Sequence, residues 1–112
     1  MKQKVRLQLT SDEGDRFFGI GVSELLHNVE KTGSLNQAAK QMGLSYNKAC
    51  RMVNKTEQIL GYHFVERTSG GKNGGGSVLT EEGRRFLEQF DQYNRKVQKE
   101  SERLFQQIFI ES

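Results

Sequence analysis

The sequence has no proline, no tryptophan and one cysteine, Cys50. A lone cysteine closes no internal disulfide and cannot by itself build a zinc site, which fits a reducing cytoplasm. Long apolar runs are missing too. The longest mostly apolar stretch, Phe17 to Val22, is far too short to cross a bilayer. The opening residues "MKQKVRLQLT" contain no apolar core of the secretory kind, so no signal peptide is expected. Histidines are few: His27, His63 and Cys50 are scattered, with no nucleophile–base spacing and no paired carboxylates. An enzyme is therefore the least expected class, and neither a metal nor a cofactor is expected. Acids are scarce in the middle of the chain. From Lys31 to Thr80 only Glu57 and Glu66 stand against seven Lys and Arg, an excess of five in a chain of net charge +3. Such a block reads either as a surface facing a polyanion or as an ordinary solvated face.

What is present suits one domain with a modest core: 112 residues, 28% charged and 34% hydrophobic. In "KVRLQLT", Val5, Leu7 and Leu9 alternate with Arg6 and Gln8, the period of a half-buried strand. "SDEGD" is turn chemistry, and "RFFG" can return as a second strand, giving an N-terminal hairpin. A helix is expected from about Val22, with Val22, Leu25, Leu26 and Val29 on one face and Gly33 as its stop.

"GSLNQAAKQMG" carries the clearest local signal. Ser34 is an N-cap with Gln37 three residues on, and Leu35, Ala38, Ala39 and Met42 fall on one helical face. Gly43 ends that helix, and Ser45 caps the next, whose core stripe is Ala49, Val53, Thr56 and Leu60 before Gly61. Two helices joined by so tight a turn form a helix-turn-helix pattern, with the small Ala39 permitting a close crossing. An ordinary helical hairpin predicts no preference in what the second helix exposes. Here Asn47, Arg51, Asn54, Lys55 and Gln58 face outward with Lys48 at the side, all side chains suited to base edges or phosphates.

Five glycines fall between Gly70 and Gly76. A phosphate-binding loop needs Lys followed by Ser or Thr and then a helix, but Lys72 is followed by Asn73 and then by strand residues Val78 and Leu79. A linker between domains would leave the strands on either side, Phe64 and Val65 before and Val78 and Leu79 after, without partners, so the glycines are expected to form the tip of a hairpin, a wing, where Lys72 and Asn73 can touch DNA. Thr80 caps a final helix running to about Phe109, with Glu81 and Glu82 in its first turn. Its stripe of Phe86, Phe90, Tyr93, Val97, Leu104 and Ile108 is longer than a core this small can cover. Pairing with a second copy is the expectation; a helix folded back on its own domain, or a frayed tail, is the other reading. His27 is expected on a helix flank and His63 on a strand. Cys50 reads as a small residue half-buried at a helix edge or as a redox-sensitive thiol.

The stretch "TGSLNQAAKQMGLSYNKA…LGYHFVERTSGGKNGGGSVLTEEG" resembles the N-terminal domain of molybdate-responsive regulators of the ModE type and, more distantly, LysR-type DNA-binding domains. "FFGIGVSELL" resembles the entry to the first helix of the molybdate group, and the resemblance covers most of residues 5 to 90. It implies an α+β, mainly helical fold: a winged helix-turn-helix over residues 1–80, and a long dimerisation helix over 81–112 within the same unit. The recognition helix falls on Ser45 to Leu60 and the wing on Arg67 to Ser77. The family's oxyanion sensor lies in a separate C-terminal domain, and no small-molecule site is expected in this chain. The expected function is a cytoplasmic, homodimeric transcription regulator on double-stranded DNA, away from any membrane. Its DNA contacts are expected at Ser34, Ser45, Tyr46, Asn47, Lys48, Arg51, Asn54, Lys55, Arg67, Lys72 and Asn73. The alternative is an interaction module that scaffolds a partner protein through the long helix.

Overall fold

A computed structural model describes residues 1–68 and 76–111. Strands β1 (Gln8–Thr10) and β2 (Arg16–Gly19) form an antiparallel hairpin, with Leu9 opposite Phe18. Helices α1 (Ile20–Thr32), α2 (Leu35–Gln41) and α3 (Tyr46–Leu60) follow. Strands β3 (Val65–Thr68) and β4 (Gly76–Leu79) pair in the register Val65 to Leu79 and Thr68 to Gly76. The long α4 (Glu81–Phe105) closes the chain and passes into a π-helical turn, Gln106–Ile110. The wing is thus present as its two strands; its expected tip, with Lys72 and Asn73, lies outside the described residues.

Local sequence sets the helix boundaries. Ser34, Ser45 and Thr80 each accept a hydrogen bond from the N–H three residues on, at 3.1, 3.1 and 2.9 Å. At the other ends, Gly33 and Gly61 stand at φ 70° and 83° and donate their N–H back to Val29 and Glu57. The α2–α3 turn is a Schellman motif: Leu44 N–H reaches the Ala39 carbonyl at 2.9 Å and Gly43 N–H the Lys40 carbonyl at 3.1 Å.

The core is one contiguous cluster. Leu25, Leu26 and Val29 of α1, Ala38 and Ala39 of α2, and Ala49 and Val53 of α3 are all buried. Ala38, Ala39 and Ala49 have no exposed surface, so these small side chains are wholly enclosed where α2 and α3 join the core. Phe18 and Phe64 sit at the centre of an aromatic group that Phe86 and Phe90 of α4 complete, with Phe18 and Phe90 centroids 4.8 Å apart. Thr56 donates to the Phe17 carbonyl at 2.8 Å, tying α3 to the hairpin.

Two glycines mark backbone contacts that fix the wing and α4. A Cβ on Gly76 would lie 2.6 Å from the Gly33 carbonyl oxygen, and one on Gly83 would lie 2.9 Å from Phe64 Cα. Around the first, Ser77 N–H donates to the Gly33 carbonyl at 2.7 Å, so β4 is docked on the α1–α2 turn. Around the second, Thr80 N–H donates to the Phe64 carbonyl and its hydroxyl to the His63 carbonyl.

Several expectations need correction. Only Gln8–Thr10 of the first alternating stretch is strand; the residues before it run along α4 instead, where Gln98 donates to the Val5 carbonyl and Ser101 to Gln3. Helix α1 starts at Ile20, before Val22, because β2 feeds directly into it. Phe64 and His63 precede β3 rather than belong to it. Phe64 is buried as a core anchor, and His63 is exposed. Phe90, expected on the pairing stripe, is taken by the aromatic core of its own domain at 2% exposure, and Phe86 packs partly buried against the same core.

Candidate nucleic-acid interface

Helix α3 sorts its side chains into four stripes. At roughly 100° per residue, Ala49, Val53 and Thr56 fall on one side, and all three are buried. Directly opposite lie Asn47, Arg51, Asn54 and Gln58, all exposed. Tyr46 and Cys50 occupy the flank towards β3, and Lys48, Met52 and Lys55 the flank towards the N-terminal hairpin. The outward row is amide, guanidinium, amide, amide: the amides can both donate to and accept from base edges, and the guanidinium donates to base edges or phosphate.

The one acid of α3 is withdrawn from that row. Glu57 turns to the start of β3, where its Oε2 accepts from Phe64 N–H at 2.7 Å and Val65 N–H at 3.3 Å. Its side chain retains 15% exposure. The exposed polar face of α3 is therefore free of carboxylates.

On the wing side, Arg67 of β3 reaches back to α3. Its guanidinium donates to the Tyr46 hydroxyl, lies 5.6 Å from the Tyr46 ring centroid and also approaches Cys50 Sγ. The bond to Tyr46 raises the Arg67 pKa above its ordinary value. Cys50 is half-buried at the helix edge, as its size suggests. Between this pair and the N-terminus of α2 opens a cleft of about 680 Å³, lined by Ser34, Asn36, Gln37, Tyr46, Arg67 and Thr68 among others. Ser34 lines this cleft, and Ser34 and Ser45 each use the hydroxyl oxygen to accept the capping bond of their helix.

Of the expected contacts, the structure thus brings Ser34, Tyr46 and Arg67 together at one cleft, sets Lys48 and Lys55 at another on the opposite flank of α3, leaves Asn47, Arg51 and Asn54 exposed on the row between, and keeps Ser45 as the exposed cap of α3. Sequence reasoning missed Arg6 and Arg16, which the hairpin sets beside Lys48 and Lys55. Their signal was the pair of arginines flanking the "SDEGD" turn, outside the basic block counted from Lys31. The histidines are structural or solvent-facing. His27 bonds Asp91 at 2.5 Å across the α1–α4 interface, where Ser23 also donates to Asp91 at 2.8 Å. No helix of the described residues is long and apolar enough to cross a membrane.

Relatives can now be set beside this geometry. Residues 23–84 match the model for bacterial regulatory helix-turn-helix proteins of the LysR family. The DNA-binding transcriptional dual regulator ModE of Escherichia coli (strain K12) is 42% identical over 67 residues, which are 60% of this chain and 26% of that protein. The molybdenum transport protein ModE of Azotobacter vinelandii is 31% identical over 103 residues, 92% of this chain and 38% of that one. The chain thus corresponds to well under half the length of these relatives. Among solved structures, the CbnR DBD–DNA complex gives a TM-score of 0.61 at 23% identity, covering 77% of this chain and 93% of that one. VV2_1132, a LysR family transcriptional regulator, gives 0.61 at 21% identity, over 85% and 31%. The solved structures agree on the fold, and the family model takes in more than half of the chain from α1 to the start of α4: the chain belongs to the LysR family of bacterial regulatory helix-turn-helix proteins and is related to the ModE regulators.

Proposed function

We propose that this chain binds duplex DNA sequence-specifically, as a homodimeric cytoplasmic transcription regulator, with α3 lying in the major groove. One observation carries the reading: the outward row Asn47, Arg51, Asn54 and Gln58 stands opposite the core with no exposed acid on the helix, because Glu57 is folded inwards. Arg51 pairs with guanine, and Asn47 and Asn54 with adenine or phosphate. Lys48, Lys55 and the wing residues Arg67, Lys72 and Asn73 meet the backbone, with the α2 N-terminus at Ser34 and the start of α3 at Ser45 and Tyr46 alongside.

The lower half of α4 supports pairing. Tyr93, Leu104 and Ile108 are 52%, 40% and 58% exposed, and Phe109 and Ile110 beside them are similarly open. With the half-buried Val97 they form an apolar ridge that leaves the body of the domain, whose longest extent is 61 Å. Pairing two such helices about a two-fold axis buries both ridges and directs two α3 helices to successive major grooves, about 34 Å apart on an inverted repeat. Selection of bound duplexes from a random pool tests the reading. An inverted-repeat consensus is expected; recovery of no sequence preference would overturn specific recognition. The scaffold reading keeps one foothold, since the same ridge could seat another protein, and sedimentation of the intact chain as a monomer would favour it.

A further inference from the structure

The flank of α3 away from the wing faces a second basic surface. Lys48, Met52 and Lys55 line an open cleft of about 540 Å³ together with Arg6, just before β1, and Arg16, the first residue of β2. Four cations line this cleft and no carboxylate does. None of the four is in an ion pair among the described residues. Gln8 accepts a hydrogen bond from the Arg16 guanidinium at 3.4 Å, tethering it across the hairpin. The hairpin's own acids, Asp12, Glu13 and Asp15, sit in its turn and do not line the cleft. The cationic feature is therefore the wall of the hairpin, not its tip. Four like charges around one depression repel each other, and an anion covering them relieves that repulsion.

The arrangement on α3 says which anion fits. Lys48 and Lys55 are seven residues apart, about 10 Å along the helix axis, so the row of charge runs parallel to the base-facing row. A helix in a major groove has a sugar-phosphate strand on each side. Tyr46 and Arg67 occupy the wing-side flank, and Lys48, Lys55, Arg6 and Arg16 the other. We propose that the N-terminal hairpin acts as a second wing: Arg6 and Arg16, with Lys48 and Lys55, hold the phosphate strand on the side of the groove opposite the glycine-rich wing. This extends the DNA-binding reading above and rests on it.

The test is a salt series of DNA binding for the Arg6→Gln/Arg16→Gln double variant of the full chain, on the selected duplex and on a mixed-sequence duplex. Loss of two phosphate contacts is expected to flatten the slope of log affinity against log salt by about two. Affinity should fall by the same factor on both duplexes, base preference should stay unchanged, and Arg6→Lys/Arg16→Lys should restore the slope. A thermal melt guards against misfolding; if the double variant melts early, Arg16→Gln alone carries the test with a slope change of about one. If the unaltered chain binds DNA and the double variant keeps its slope, the second wing is overturned while the DNA reading stands. If the unaltered chain binds no duplex at any salt, the DNA reading itself falls. A poly-glutamate peptide forms the remaining arm: loss of peptide binding in the double variant with an unchanged DNA slope would assign the cleft to an acidic protein and overturn the proposal.

Discussion

The carboxylate of Glu57 accepts the backbone N–H of Phe64 at 2.7 Å. This bond links the end of α3 to the residue that anchors the aromatic core. It satisfies a buried donor that β3 has not yet taken up, and it keeps negative charge off the outward face of α3. Glu57→Ala leaves the Phe64 N–H without its charged partner and is expected to destabilise the fold by about 1–3 kcal/mol, read as a lower midpoint in urea. An unchanged midpoint would mean that water replaces the carboxylate without loss.

Gly83 is expected to resist replacement by alanine even though it lies inside a helix. Alanine normally gains about 1 kcal/mol over glycine there. Here the added methyl would lie 2.9 Å from Phe64 Cα and 3.0 Å from the Phe64 carbonyl oxygen, and backbone must move. Overpacking of this kind costs about 1–3 kcal/mol, so Gly83→Ala should be net destabilising. A raised melting temperature for this variant would show that α4 slides outward freely.

Arg51 is exposed at the centre of the outward row of α3. Arg51→Ala is expected to cost about 1–3 kcal/mol on the preferred duplex and to relax base choice at one position. Competition binding against single-base variants of the site reads this directly. Equal losses on specific and random DNA would make Arg51 a phosphate contact instead.

Leu104 near the end of α4 and Ile108 in the π-helical turn that follows stand on the exposed ridge, beyond the last core residue Phe90. Charge placed there by Leu104→Glu/Ile108→Glu should leave the domain folded and shift the chain to monomer in sedimentation at micromolar concentration. DNA affinity should fall sharply as the two half-sites cease to bind in concert. Substitution suits this test better than truncation after Glu88, which would also remove Phe90 and Asp91 from the domain's own core and α1–α4 contacts. A dimer that survives the double substitution would place the interface elsewhere.

Much of this protein was readable from local chemistry. The caps at Ser34, Ser45 and Thr80, the stops at Gly33, Gly43 and Gly61, and the stripe of Ala49, Val53 and Thr56 all depend on neighbours within one or two helical turns, so the sequence by itself determined them. The outward row of α3 follows from the same periodicity. What only the tertiary structure decided are relationships between residues distant in the chain. Phe86 and Phe90 have the same helical period as Tyr93 and Ile108; the approach of Phe18 and Phe64 draws Phe90 into the core with Phe86 packed against it, and leaves the second pair exposed. Glu57 turns inwards because Phe64 N–H lies within its reach, and Arg6 and Arg16 join Lys48 and Lys55 because Thr56 and Phe17 hold the hairpin against α3. Periodicity tells which face of a helix is apolar, but what covers that face depends on contacts that chain folding brings together from far apart in sequence.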